Sequence, residues 1–427
     1  MSCPDRLSQW SQQVSTAFAH LSKPQREGLV LWSVGIALVG AAGITQISAL
    51  LALVLNQNED AVFQRLREWY LDAKHKSGKQ RRDWEVTSCF APLLCWIVRL
   101  WEPGKRQLVL VLDATTLGDR WTILSINVVI RSCAIPVAWK VLGAHEKGSW
   151  RPHWEGLLKY LEGCIPADWQ VLVLADRGLY ARWLFRAICA CGWHPFLRIN
   201  LAVKARAVGE EAFDWISRWT PLPGTSWKGQ VECFADKSSR LSCTLLMQWE
   251  VGYEDPWIVL TDLLPEQAEV GWYGMRAWTE TGYKDFKRGL WGWHHSKMQE
   301  AGRVERLWLA LAVAQLWTVS LGCQAEQACA QHGQHADLPL THLARRRRTR
   351  PADQPPCRRL SCVVRGRLMI VAALVKAEGL PCGRFLPDRW PQTMTAPRKQ
   401  PRSARRRERA RKHAQKRRAK ARARAAA

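Results

Sequence analysis

No Cys-x-x-Cys pair occurs among the 14 cysteines of this chain. The closest spacings, Cys189/Cys191 and Cys357/Cys362, fit no zinc-ligand pattern, so a structural zinc site is excluded. Cys89, Cys95 and Cys243 sit in apolar runs, where free cysteine behaves as a small hydrophobe. That usage points to a reducing cytosol. The opening residues MSCPDRLSQW lack a basic stretch followed by an apolar one, so no signal peptide is expected. An apolar run of membrane-spanning length occurs once, at residues 29–55. Ser33, Thr45, Gln46, Ser48 and three glycines interrupt it. Two buried helices are expected there rather than a membrane span.

What the chain has in excess is positive charge. Its 427 residues carry a net charge of +26, a field that favours nucleic acid or an anionic membrane surface as partner. Residues 398–424 hold fifteen Lys and Arg against one acid, Glu408. Such a tail displaces counterions from DNA or RNA without reading sequence. With 47% hydrophobic residues, the rest is expected to fold into two or three domains.

Residues 1–100 read as helical. Within them, residues 61–86 alternate basic and aromatic side chains, a combination that can grip phosphates and stack on bases, or form an ordinary solvated helix and loop. Residues 107–112 (QLVLVL) form a short apolar run that ends in Asp113, as a buried strand does. Strands are expected again at 121–130 and 134–142, and a helix over 145–163. A second apolar run, 170–175 (QVLVLA), ends in Asp176. A helix closed by Gly192 and a strand at 194–200 follow. Residues 201–270 are rich in Trp, Pro and Gly with short alternating pieces, and read as mainly β. Residues 302–322 are a strongly apolar helix, and 361–375 a further short one. The stretch 343–359 carries four consecutive arginines, Arg345 to Arg348, and a Pro-rich linker.

Chemistry concentrates in residues 271–293. Tyr273, Arg276, Glu280 and Lys287 are spaced by three, four and seven residues, which on one helix would place them on one face. A carboxylate among two cations and a phenol suits a polyanion held beside a metal ion; the alternative is a solvated face with ordinary ion pairs. Two strand-end aspartates far upstream add to the first reading, because open α/β sheets place ligand sites at the carboxyl ends of strands. Asp119 and Asp262 are rival carboxylates in expected turns.

The order of elements resembles the ribonuclease-H-like fold, and the motifs resemble the DDE transposases of the insertion-sequence-four family. That family's signature is Tyr, two residues, Arg, three residues, Glu, six residues, Lys, met here by Tyr273, Arg276, Glu280 and Lys287. VLDATTLGDR and VLADRGLYARWLF are similar to its two Asp regions. The resemblance covers roughly residues 20–325; the basic tail lies outside it. It implies an α/β ribonuclease-H-like catalytic core with a mainly β insertion and an α-helical N-terminal domain. The expected divisions are 1–100 (helical, DNA-binding), 101–200 (first part of the core), 201–270 (β insertion), 271–325 (the Glu helix and final core helices), 326–390 (linker and short helix) and 391–427 (disordered basic tail).

It implies, further, a catalytic triad of Asp113, Asp176 and Glu280 holding Mg²⁺ or Mn²⁺, with two ions about 4 Å apart. Arg276, Lys287 and Tyr273 would contact phosphates of the transposon ends, and Trp291 or Trp293 would stack on a flipped base or else pack in the core. Double-stranded DNA would be the partner, with a dimer forming on it in a bacterial cytoplasm. The rival expectations are a catalytically inactive or repurposed DNA-binding copy and a membrane-anchored basic protein.

Overall fold

The computed structural model of the chain describes residues 3–77, 83–220, 222–251, 255–331 and 360–391. The Arg345–Arg348 run and the basic tail lie outside those residues. The architecture is α/β, built on one ten-stranded mixed sheet.

Five helices come first: α1 (Cys3–Ala17), α2 (Lys23–Val39), α3 (Ile44–Leu55), α4 (Glu59–Tyr70) and α5 (Phe90–Arg99). The apolar run 29–55 divides between α2 and α3. Gly40 ends α2 in a left-handed conformation at φ 72°, as glycine readily does, and the two helices meet at 98°. Residues 61–86 turn their large rings inward. Trp69 and Trp84 are buried with centroids 5.2 Å apart, so neither offers a face to a base. Arg65, Arg67 and Lys74 remain exposed.

Strands β1 (Gln107–Leu117), β2 (Trp121–Ile130) and β3 (Cys133–Gly143) form an antiparallel meander. Helix α6 (Arg151–Leu161) leads to β4 (Gln170–Ala175), and α7 (Arg182–Ala190) to β5 (His194–Arg198). β4 lies parallel to β1, and β5 parallel to β4. Next in the chain come β6 (Lys204–Ala207), β7 (Asp214–Trp215), β8 (Ser226–Cys233), β9 (Leu241–Gln248) and β10 (Trp257–Thr261). The full order is β3-β2-β1-β4-β5-β10-β9-β8-β6-β7. Residues 204–261 thus extend the same sheet through β10, which pairs antiparallel with β5.

Alternation along the strands sorts their side chains to two faces. Leu108, Leu110 and Leu112 join the larger core with α9 (Ala301–Gln331). Val109 and Val111 join a smaller core on the other face, with Leu172, Leu174, Tyr273 and Trp278. Asp113 and Asp176 continue the parity of Val111 and Leu174. Both therefore turn toward the face covered by residues 270–284.

Helix α9 is apolar on nearly every side, which suits a helix enclosed by protein. Its 301–328 stretch is long and apolar enough to cross a membrane, yet 94% of an apolar 18-residue window within it is buried in the fold. Helix α10 (Cys362–Val375) packs on it at a glycine: a Cβ on Gly366 would run into the Thr318 carbonyl.

Candidate active site

Strand β1 is longer than its apolar run. The pairing with β2 continues past Asp113 through Thr116↔Thr122 to Leu117↔Trp121, because Thr115 and Leu117 still bury side chains. Asp113 is thus not at the strand's end. It does stand where the parallel ladder with β4 ends, since the last pair is Leu112↔Ala175. Asp113 and Asp176 are the next residues on each strand. Neighbouring parallel strands lie about 4.8 Å apart, so two residues separated by 62 intervening positions are brought side by side.

The signature segment is three windings rather than one helix. Residues Val270–Arg276 form a 3₁₀ helix, α8 (Ala277–Lys284) is α-helical, and Asp285–Gly289 is a π turn. The residues per turn change along it, so equal spacing does not give one face. Tyr273 is buried in the smaller core, at 3% exposure. The Arg198 guanidinium lies 6.0 Å from the Tyr273 ring centroid. Burial raises its phenol to about 12. Tyr273 is thus buried while Glu280 faces solvent, yet Tyr273 lies close enough to Arg276 and Asp176 to interact electrostatically with both.

Arg276 and Glu280 do meet. Arg276 Nη2 lies 2.8 Å from Glu280 Oε1, and Nη1 lies 3.2 Å from Asp113 Oδ2. One guanidinium thus spans two carboxylates drawn from a strand and a helix. The Arg276 side chain is 18% exposed, Asp113 14% and Glu280 65%. Burial alone would lower the Arg276 pKa; Tyr273, Asp113, Glu280 and Asp176 outweigh it and raise it. Asp113 is the strained member. Burial raises its carboxyl to about 6; Arg276 and the Ala114 N–H oppose the rise, while Asp176 and Glu280 add to it. The Ala114 N–H donates to Asp113 Oδ1 at 2.8 Å.

Asp176 has a second duty. Its Oδ1 accepts from the Gly178 and Leu179 N–H groups at 2.9 and 3.2 Å, so it also caps the turn that leads to α7. That turn takes up residues 177–181, and α7 starts at Arg182 rather than directly after Asp176.

Lys287 lies in the π turn. Burial lowers its pKa, Arg288 adds to the effect, and its backbone carbonyl accepts from His294 Nδ1. Both tryptophans are core residues, at 0% and 1% exposure. Trp291 donates to Gln315 Oε1 at 2.8 Å, and Trp293 packs edge-on to Trp308 at 5.2 Å. Neither presents a face for base stacking, so of the two alternatives core packing is the one found. Helix α9 supplies both partners, Gln315 and Trp308. Of the rival acids, Asp262 faces His194 Nδ1 at 3.1 Å, and Asp119 is exposed in the β1–β2 turn.

Sequence reasoning missed the support behind Asp113. Tyr283 donates to the Asp113 carbonyl at 3.0 Å and meets Ser125 Oγ at 2.8 Å. Asn127 Nδ2 in turn donates to Ser125 Oγ at 3.0 Å. The signal was present: Ser125 and Asn127 interrupt an apolar strand, and Tyr283 falls three residues after Glu280. Gly282 lets α8 approach this point, since a Cβ there would come within 2.7 Å of the Ala134 Cβ.

Two carboxylates held on one guanidinium, with the Asp176 carboxylate following the neighbouring strand, are hard oxygen donors of the kind that suits Mg²⁺ or Mn²⁺. In this arrangement the cation is Arg276, and among the described residues no three acidic, His or Cys side chains stand close enough to hold an ion. The chemistry of these oxygens fits a divalent metal; in this arrangement Asp113 and Glu280 are engaged by a guanidinium. No protein-family model and no curated protein matches this chain.

Proposed function

We propose that the chain is a DDE transposase with a ribonuclease-H-like core, one that cuts the ends of its element and joins them to target DNA. The observation that carries this reading is the meeting of Asp113 with Arg276 and Glu280, 163 and 167 residues further along the chain, at the rung where Asp113 and Asp176 stand side by side. The sheet order β3-β2-β1-β4-β5, with its antiparallel meander and two parallel neighbours, supports it. So does the net charge of +26, which favours a polyanionic partner.

Asp113, Asp176 and Glu280 would hold Mg²⁺ or Mn²⁺, two ions in all. Held there, the metal would supply Lewis-acid chemistry, activation of a water or 3′-hydroxyl and stabilisation of the leaving oxygen. The chain's own residues do the rest. Tyr283, Ser125 and Asn127 fix the Asp113 backbone and so aim its carboxylate. The Asp176 turn fixes the second carboxylate through two N–H donors. Arg276 takes a backbone phosphate in its planar fork, and Lys287 adds a point charge. The exposed Arg65, Arg67 and Lys74 would hold DNA beside the helical region. The reading places the protein as a dimer on double-stranded DNA in the cytoplasm, associated with the nucleoid.

Asp176→Ala and Glu280→Ala test it. Each is expected to abolish Mg²⁺-dependent strand cleavage while end binding stays measurable by gel shift. Cleavage retained in either variant overturns the reading.

A further inference from the structure

Arg276 touches Asp113 Oδ2 and Glu280 Oε1, two of the oxygens that a divalent metal would use. A guanidinium and a metal ion cannot share those oxygens in the same geometry. Nor can Arg276 leave by losing its proton, because arginine stays charged at all working pH. It leaves only when another anion takes it. The two ends of the bridge differ in access: Asp113 is 14% exposed and Glu280 65%. An incoming phosphate can therefore reach the guanidinium from the Glu280 side, and a phosphodiester's two oxygens match its fork.

We propose that Arg276 is an internal counter-ion that keeps the acidic site closed to metal until DNA arrives. A backbone phosphate draws the guanidinium off the carboxylates, and the freed acids then take the divalent ion. Metal loading and DNA engagement are thereby coupled, and by linkage each strengthens the other by the same factor. The device rests on the transposase reading and adds its regulation.

The test titrates Mn²⁺ into the full-length, DNA-free protein, following the electron paramagnetic resonance signal of free Mn²⁺. Arg276→Gln is expected to bind Mn²⁺ at least about tenfold more tightly than wild type, equivalent to about 1.4 kcal/mol. Arg276→Lys, which keeps a cation but loses the fork, is expected to fall between them. The gain is expected to vanish in Asp113→Asn/Arg276→Gln, which assigns it to this site. Thermal melts by circular dichroism establish that each variant is folded. Should Arg276→Gln fail to fold, Arg276→Lys carries the test. Mn²⁺ is also expected to raise the affinity of wild type for a short duplex, measured by fluorescence anisotropy, and to raise that of Arg276→Gln less. Folded Arg276 variants that bind Mn²⁺ no more tightly than wild type overturn the counter-ion role. If wild type itself loads Mn²⁺ tightly without DNA, the counter-ion role falls and the transposase reading stands. If no form binds Mn²⁺ with or without duplex, both fall.

Discussion

Asp113→Asn is expected to stabilise the folded protein at neutral pH while abolishing metal-dependent cleavage. Burial raises the Asp113 carboxyl from 3.8 to about 6, even with Arg276 pulling the other way. At 1.36 kcal/mol per pH unit, a rise of about 2 corresponds to about 3 kcal/mol. The folded state binds this proton more tightly than the unfolded chain does. The group's contribution to stability is therefore fully present below about pH 4 and is lost as pH rises through about 6. Asparagine has nearly the shape of the protonated acid and cannot ionise, so the variant escapes the loss. Its advantage over wild type should be near zero at about pH 4 and approach 2–3 kcal/mol above about pH 7. Asp285, likewise raised to about 6 by burial, titrates in both proteins and cancels in the difference. Urea unfolding followed by tryptophan fluorescence at about pH 4.5 and about pH 7.5 reads the effect directly. A variant less stable than wild type at the higher pH, or a difference that does not change with pH, refutes the reasoning.

Substitutions at three other positions probe the support around the site. Gly282→Ala puts a methyl within 2.7 Å of Ala134 Cβ; overpacking of about 1–3 kcal/mol against a helix-propensity gain of about 1 should leave stability slightly lower, while cleavage falls far more because α8 carries Glu280. Tyr283→Phe removes the hydroxyl between Ser125 and the Asp113 carbonyl. It should cost about 1–3 kcal/mol in urea unfolding and slow cleavage with little change in gel-shift affinity. Trp291→Ala should cost about 3–5 kcal/mol, whereas Trp291→Phe, losing mainly the bond to Gln315, should cost less and keep duplex affinity; a large affinity loss in folded Trp291→Phe would instead argue for base contact.

The parts of the fold that were legible are those where one periodicity dominates. QLVLVL and QVLVLA are apolar at every position after the opening glutamine because both faces of β1 and β4 are buried. The two aspartates that follow them could therefore be singled out. Their adjacency was not legible, since it depends on the register Leu112↔Ala175 across a 62-residue connection. The extension of β1 to Leu117 was hidden by DATTL, whose polar residues pair with β2 and alternate in burial. The signature spacing misled in one respect: a uniform helix was assumed, and the backbone winds as 3₁₀, α and π in turn. That sends Tyr273 inward and leaves Glu280 exposed. Trp291 and Trp293 read as core or base-stacking residues from sequence; Gln315 and Trp308 of α9, which they contact, decide for the core.

The central claim is that three carboxylates, from β1, the end of β4 and α8, serve one metal centre on DNA. A crystal of the protein with a duplex of its own element's end and Mn²⁺, read by anomalous scattering, tests it most directly. The account predicts Mn²⁺ peaks bounded by Asp113, Asp176 and Glu280, with Arg276 turned onto a backbone phosphate. Mn²⁺ bound elsewhere, with Arg276 still bridging Asp113 and Glu280 beside the bound DNA, would contradict it.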